Sequence, residues 1–265
     1  MNPLSSPPSE ALLRQSLGRV FSGDLLSQAV TSLTNAGLCG EPASEDIGGV
    51  DVDLQRATRC GFPEVIYGEG KPSRVILKIM AAQQKAGQDC LVTRLRSGQA
   101  RKILSKHESA VWNKSARTIR LTARESPSES RGGPVFVITA GTSDQSVAEE
   151  AIETLRWMRI ECELLTDAGV AGPHRLQKHL PLLKTAAAIV CVAGMEAALP
   201  SVVGGYVSCP VIGVPTSVGY GASLHGITAM LAMLTCCASN VVTVNIDAGF
   251  KGGYVAGLIA SRCRP

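Results

Sequence analysis

Aromatic side chains are scarce, with two tryptophans, four tyrosines and four phenylalanines in 265 residues. That argues against an aromatic-rich β-sandwich and for a tightly turned α/β domain in which helices approach a sheet closely. A basic stripe interleaved with aromatics is also missing. The Lys/Arg clusters are small, at "RSGQARK" and "ARTIRLTAR", and the net charge is only +4. No nucleic-acid partner is expected, although anionic ligands are tolerated. No two cysteines form a C-x-x-C pair, and no Cys/His spacing suits zinc. The N-terminal stretch lacks a charged segment followed by an apolar one, so no secretory leader is expected. The apolar run from Gly226 to Ile246 is interrupted by Thr235, Ser239, Asn240, Thr243 and Asn245. It reads as a helix and a strand rather than a membrane span.

Cysteine itself is plentiful, at nine positions: 39, 60, 90, 162, 191, 209, 236, 237 and 263. Free thiols in a reducing compartment are the simplest reading, and a cytoplasmic protein is expected. Apolar residues make up 45% of the chain, enough for a substantial core. The polar segment "RESPSESRGGP" divides it. The expected organisation is an N-terminal α+β domain over 1–124, a linker over 125–133 and a larger domain over 134–265. In the first part, Ser9 is a candidate cap for a helix starting at "SEALL". A strand is expected at Glu64–Tyr67, a helix at Pro72–Lys85 and a strand at Cys90–Arg94.

The second part alternates strand and helix five times. The strands are "VFVIT", "IECELLTD", "AIVCVAG", "PVIGVPT" and "VVTVNI". The helices are "QSVAEEAIETLRWM", "HRLQKHLPLLKTA", "EAALPSVVGGYV", "ASLHGITAMLAMLTCC" and "KGGYVAGLIASR". Continuous apolar strands imply cover on both faces. The fold class is therefore α/β, a doubly wound parallel sheet in three layers, with a smaller N-terminal α+β domain. Ligands of such sheets bind at the carboxyl ends of the strands.

Each strand end carries candidate groups. After the first, Gly141 allows close backbone approach. Thr142, Ser143 and Asp144 open the next helix, either as an anion site or as a plain cap. After the second come His174, an acid–base candidate, and Arg175, which can pair a phosphate; both also suit an exposed helix start. After the third, Gly194 and Met195 turn the chain and Glu196 follows, as a dipole-favourable residue or a metal or water ligand. After the fourth, a long loop with Ser217, Gly219, Tyr220 and Gly221 reads as a segment closing over a ligand, with His225 as a helix residue. After the fifth comes Asp247. Together these ends suit a nucleotide-sized ligand. Cys236 and Cys237 close the fourth helix. Ile227, Met230, Leu234 and Cys237 also fit one apolar stripe, so periodicity leaves core filler open for Cys237.

The segments "GTSD", "HR", "VAGMEAALPSVVGG", "PVIGVPTSVGYGAS" and "VVTVNIDAGFKGGY" resemble the aminoimidazole ribotide carboxylase (PurE-like) fold, which is flavodoxin-like. They are most similar to its LarB branch, the pyridinium-3,5-biscarboxylic acid mononucleotide synthases of nickel-pincer cofactor biosynthesis. The stretch "DLQRATRCGFPEVIYGEGK" resembles that branch as well, and the resemblance covers about residues 50–260. It implies carboxylation of the pyridinium ring of nicotinic acid adenine dinucleotide by CO2 or bicarbonate. Hydrolysis of the phosphoanhydride to AMP would follow. It also implies Mg2+ and no organic cofactor, with Glu196 as the candidate metal ligand, and a homo-oligomer, an octamer. Carried over residue by residue, Cys237 is the ring nucleophile, and Glu196, Asp144 and His174 match family motif positions. The chain departs from the pattern at Leu224, His225, Cys236, Ser239, Asn240, Ala248 and Lys251.

An electron-poor pyridinium does not attack CO2, but a thiolate adduct has enamine character and does. An aminoimidazole needs no such help. Two other readings stand beside this one. One is a phosphoribosylaminoimidazole carboxylase of purine biosynthesis, which the N-terminal domain and Cys237 argue against. The other is a nucleotide-binding protein without catalysis.

Overall fold

The computed structural model describes residues 10–35, 45–46, 49–123 and 130–263. Ser9, Cys39 and most of the expected linker lie outside the described residues. By packing, the chain forms two compact units: Met1–Glu64 with Leu77–Gln88, and Val65–Ile76 with Asp89–Pro265. No helix among the described residues is long and apolar enough to cross a membrane. The eight described cysteines are free thiols.

The smaller unit holds helices α1 (Glu10–Leu17) and α2 (Gly23–Asn35), the two-residue strands β1 (Glu45–Asp46) and β2 (Asp51–Val52), and α3 (Arg56–Cys60). Glutamines stitch its backbone together. Gln83 Nε2 donates to the Glu64 carbonyl and Gln88 Nε2 to the Leu54 carbonyl, each at 2.6 Å.

The larger unit begins with a four-stranded sheet. Its members are β3 (Ile66–Tyr67), β4 (Cys90–Thr93), β5 (Val111–Asn113) and β6 (Thr118–Leu121). Helix α4 (Ser73–Lys85) stands between β3 and β4 in the chain, as expected, and α5 (Ser97–Leu104) follows β4. The order is β3-β4-β6-β5, with β3 parallel to β4 and the other pairs antiparallel.

The second sheet has five parallel strands: β7 (Gly132–Thr139), β8 (Ile160–Leu165), β9 (Ala188–Ala193), β10 (Val211–Pro215) and β11 (Val241–Thr243). Their order is β11-β10-β9-β7-β8. The chain steps from β7 outward to β8, then crosses to β9 on the other side. The switch point is therefore between β7 and β9, where a crevice opens beyond the strand ends. Every residue of β9 and β10 is buried, as continuous apolar strands covered on both faces require.

One face carries α6 (Gln145–Trp157) and α11 (Gly249–Arg262). The other carries α7 (Pro173–Gln177), α8 (Leu180–Leu183), α9 (Leu199–Gly204) and α10 (Ile227–Leu234). Their Leu176, Leu183, Leu199, Val203, Ala229 and Met233 pack on Phe136, Ile138 and Ile189 of the sheet.

Three expected helices differ in their bounds, each for a local reason. "HRLQKHLPLLKTA" forms two short helices, because Pro181 has no N–H with which to continue the first. Helix α9 starts only at Leu199, because Met195 and Ala197 adopt left-handed φ of 52° and 51°. Glu196 therefore sits on a turn, not in a helix. Helix α10 starts at Ile227, after left-handed Leu224, His225 and Gly226. It ends at Leu234, so Cys236 and Cys237 lie just past it.

Helix α11 approaches α6 and the sheet through glycines. A Cβ on Gly253 would lie 2.6 Å from the Ala151 carbonyl oxygen, and one on Gly257 2.5 Å from Met158 Cε. One on Gly252 would lie 2.5 Å from Val214 Cγ2. Backbone-to-backbone contact at Gly253 leaves nowhere for a methyl group to go. Gly253→Ala is therefore expected to lower stability by about 1–3 kcal/mol despite alanine's better helix propensity. Urea denaturation measures this, and an unchanged or raised midpoint would overturn the packing account.

Candidate functional site

Strain collects at the carboxyl ends of the parallel strands. Of nine described non-glycine residues with left-handed φ, six lie there: Asp167, Met195, Ala197, Leu224, His225 and Asp247. Such residues cost about 1–3 kcal/mol each and persist where surrounding structure holds them, commonly at functional sites.

Beyond β7 and β9 lies a cleft of about 300 Å3. Its walls include Gly141, Ser143, Asp144, Arg175, Gly194 and Glu196, with Met195 at the rim. Six of the seven expected positions from the first and third strand ends therefore converge, together with Arg175 from the second. Thr142 lies beside them in the 3-10 turn Thr142–Asp144 without lining the cleft.

Asp144 is only 3% exposed. Its Oδ2 accepts the Gly141 N–H at 3.0 Å, and its Oδ1 accepts the Thr216 hydroxyl at 2.7 Å. The carboxylate thus caps the turn that it terminates. Burial pushes its pKa up, against the opposing effect of Thr216 and the Gly141 and Gly194 N–H groups, and Asp247 raises it further. Gly194 is required here for space. A Cβ would lie 2.6 Å from Thr216 Oγ1 and 2.4 Å from the Val218 carbonyl oxygen.

Arg175 crosses the end of β8. Its Nη1 donates to Asp167 Oδ1 at 2.6 Å, while its Nε is buried with no acceptor. The guanidinium lies over Gly172, where a Cβ would come within 2.6 Å of Nε. A buried, orphaned donor on a cleft wall suits an anionic ligand. His174, by contrast, is exposed and does not line the cleft.

A second cleft of about 180 Å3 adjoins the first and shares Ser143 and Val218 with it. Here lie Ser217 and Asp247. Asp247 Oδ1 accepts the Ser217 N–H at 2.9 Å, tying two strand ends together. Gly219 packs on Ser223 and nears Met195, while Tyr220 and Gly221 are exposed on the loop rim. Cys237 is exposed and lines neither cleft of its own chain.

Sequence reasoning missed Thr216, Arg94 and Glu150. Thr216 was legible as the polar residue ending "PVIGVPT". Glu150 was not, since nothing in "QSVAEEA" marks it as buried. Its carboxylate accepts Arg94 Nε at 3.0 Å and the Phe250 N–H at 3.2 Å, and Arg94 Nη2 also donates to the Asp247 carbonyl. Among the described residues, no group of three or more His, Cys, Asp or Glu is placed to hold a metal ion.

Residues 44–124 match the LarB/PurE-like N-terminal domain, and residues 134–264 match AIR carboxylase. An uncharacterised protein of Methanocaldococcus jannaschii is 41% identical over 219 residues, 79% of this chain and 83% of that protein. A probable N5-carboxyaminoimidazole ribonucleotide mutase of Methanobrevibacter smithii is 32% identical over 132 residues, 47% of this chain and 37% of that protein. The crystal structure of a Treponema denticola PurE2 variant superposes with a TM-score of 0.41 at 21% identity, covering 49% of this chain and 80% of that one.

The raised pKa of Asp144 has a signed consequence for stability. Folding favours its protonated form, so the contribution is fully present below the unfolded-state carboxylate value and is lost as pH rises through the folded one. Asp144→Asn removes that dependence. The stability difference, variant minus wild type, should become more positive as pH rises from about 4, the usual aspartate value, towards 7. Urea unfolding at several pH values tests this, and a pH-independent difference would contradict it.

Proposed function

Starting from the fact that the chain belongs to the LarB/PurE-like superfamily, we propose that it carboxylates the pyridinium ring of nicotinic acid adenine dinucleotide. Hydrolysis of the phosphoanhydride then yields pyridinium-3,5-biscarboxylic acid mononucleotide and AMP. The observation that carries this reading is the joining of a LarB-type N-terminal segment to an AIR carboxylase segment in one chain.

The chain carries residue types suited to that chemistry. A thiolate, from Cys237, adds to the electron-poor ring and forms a C–S bond. The resulting enamine carbon attacks CO2. A ring proton then leaves to a base, the C–S bond breaks, and aromaticity returns. Asp144, with its upward-shifted pKa, suits proton transfer nearer neutrality than an ordinary carboxylate. Arg175 Nε and the Gly141 turn suit a substrate phosphate. Glu196 is the carboxylate that would hold a magnesium ion accompanying the substrate phosphates, and such an ion would neutralise phosphate charge; Mg2+ commonly binds through one or two carboxylates plus phosphate oxygens.

Cys237 lies outside both clefts, so this reading needs a second copy to bring it there. Helix α10 supports such contact, with Ile227, Leu231 and Leu234 at 40%, 53% and 60% exposure just before the cysteine. A homo-oligomer of the PurE-like kind, an octamer, is part of the proposal, as is a cytoplasmic location.

The resemblance to a probable N5-carboxyaminoimidazole ribonucleotide mutase favours one competitor, a purine-pathway carboxylase or mutase. Incubating the full chain with nicotinic acid adenine dinucleotide, Mg2+ and labelled bicarbonate separates the two. The expected result is a covalent adduct on Cys237 by mass spectrometry and release of AMP, both abolished by Cys237→Ala. Absence of adduct and of AMP would sink the proposal. Turnover of an aminoimidazole ribotide that survives Cys237→Ala would select the competitor.

A further inference from the structure

Cys236 has no task in the proposed ring chemistry, yet one peptide bond joins it to the proposed nucleophile. Of the three exposed thiols among the described residues, Cys60, Cys237 and Cys263, only Cys237 has a cysteine next to it in sequence. Cys236 is half-buried, with its Sγ 3.9 Å from the Ala238 carbonyl oxygen, a weak contact. Most of the remaining thiols are shielded. Cys90 and Cys191 are buried, and burial pushes the thiols of Cys162, Cys191 and Cys209 up, that of Cys162 to about 11. A raised pKa leaves little thiolate, the form that oxidants attack.

The two adjacent thiols sit on loosely held backbone between α10 and β11. Just before them, the Thr235 N–H still bonds the Leu231 carbonyl at 3.1 Å. The Cys236 N–H reaches the Met233 carbonyl only at 3.5 Å, longer than the usual roughly 2.7–3.2 Å. The Cys237 N–H makes no backbone hydrogen bond among the described residues, and the chain bends there. From Ala238 onward the chain is anchored again. The Ala238 carbonyl accepts the Val241 N–H at 3.1 Å, and Asn240 Nδ2 donates to the Val207 and Cys209 carbonyls, each at 3.1 Å. Ala238 packs on Gly204 so closely that a Cβ on that glycine would lie 2.9 Å from the Ala238 Cβ. A two-residue span between fixed ends can turn its side chains towards one another without disturbing α10 or β11.

We infer that Cys236 and Cys237 are a redox pair: a peroxide joins them in a reversible disulfide between neighbours, which withdraws the Cys237 thiol from chemistry. The Cys237 thiolate attacks one peroxide oxygen and breaks the O–O bond, leaving a sulfenic acid and, with the thiol proton, one water. The Cys236 sulfur then attacks that sulfur. The S–S bond forms, the S–O bond breaks, and the hydroxyl leaves with the Cys236 proton as a second water. Two thiols lose two electrons in total, and the peroxide gains them. Cα atoms across one trans peptide stand about 3.8 Å apart. That is closer than the roughly 4.4–6.8 Å usual for a disulfide, and a bridge outside that range is more easily reduced. The pair therefore suits a transient bridge, the kind that a reducing compartment allows. The effect on activity rests on the proposed function. The pair itself rests on the two thiols and their backbone.

Hydrogen peroxide treatment of the full chain, then alkylation and peptide mapping by mass spectrometry, tests it. Wild type should lose the two thiol hydrogens, with Cys236 and Cys237 both withheld from the alkylating reagent, and dithiothreitol should restore both. In Cys236→Ser the resolving thiol is gone. There Cys237 should be trapped by dimedone as a sulfenic acid and pass on to forms that dithiothreitol does not restore. Three results would each overturn the pair: continued alkylation of both thiols, a bridge from either to another cysteine, or a sulfenic acid as persistent in wild type as in the variant. Incubation with nicotinic acid adenine dinucleotide reads the effect on activity. The reduced protein should form the Cys237 adduct, the oxidised protein should not, and dithiothreitol should bring it back. An equal adduct from oxidised protein would overturn the switch. A disulfide with no adduct from reduced protein would uphold the pair and count against the pyridinium chemistry. An adduct from reduced protein with no disulfide after peroxide would do the reverse.

Discussion

Glu150 occupies the point on which both clefts depend. Its side chain is 4% exposed, and an ionised carboxylate so placed is tolerable only if fully paired. Arg94 supplies the pairing from the small sheet, and the Phe250 N–H supplies it from the first turn of α11. Burial still pushes the carboxyl upward, with Arg94 opposing. The same guanidinium bonds the Asp247 carbonyl, and the Asp247 carboxylate holds the Ser217 N–H. One buried acid thus ties the middle of α6 to the start of α11 and, through Arg94 and Asp247, to the segments that follow β11 and β10. Ser143 and Asp144, which enter the first cleft, stand just before α6. A second buried acid farther along that helix, Glu153, has a different balance. Burial would raise it, but Arg120 and Arg156 prevail and hold it below the usual carboxylate range. Helix α6 is therefore anchored electrostatically to the small sheet at two points, through Arg94 and Arg120.

Close approach is the complementary constraint. With few aromatics to fill space, the layers come together through small residues. Gly252, Gly253 and Gly257 let α11 seat against Val214, Ala151 and Met158, and Gly194 lets Thr216 reach Asp144. Rigid layers of this kind leave the variable geometry to the strand ends. That is where the left-handed residues Asp167, Met195, Ala197 and Asp247 collect.

The parallel sheet was legible because its strands are continuous apolar runs with turn residues at both ends. The order of the strands follows the doubly wound rule, and the crevice lies where that rule puts it. Helix bounds were read less well. Left-handed Met195 and Ala197 have no signature in "AGMEAALPS", and they shorten α9 from its start. The hairpin of β5 and β6 was missed because "VWN" and "TIRL" are too short for periodicity to register. Gly141, Ser143, Asp144, Arg175, Gly194, Met195 and Glu196 were found by a positional rule, the ends of consecutive strands, and they do converge. The Arg94–Glu150 pair was invisible for the converse reason. Its members are 56 residues apart, and neither belongs to a local pattern.

Cys237 lies outside the clefts at the strand ends of its own chain. It is exposed beyond the end of α10, beside the apolar stripe of Ile227, Leu231 and Leu234, so its proposed route to a cleft runs through another copy. That arrangement makes the proposed ring chemistry depend on assembly. On that proposal a dissociated subunit would keep both clefts and lack the thiol beside them.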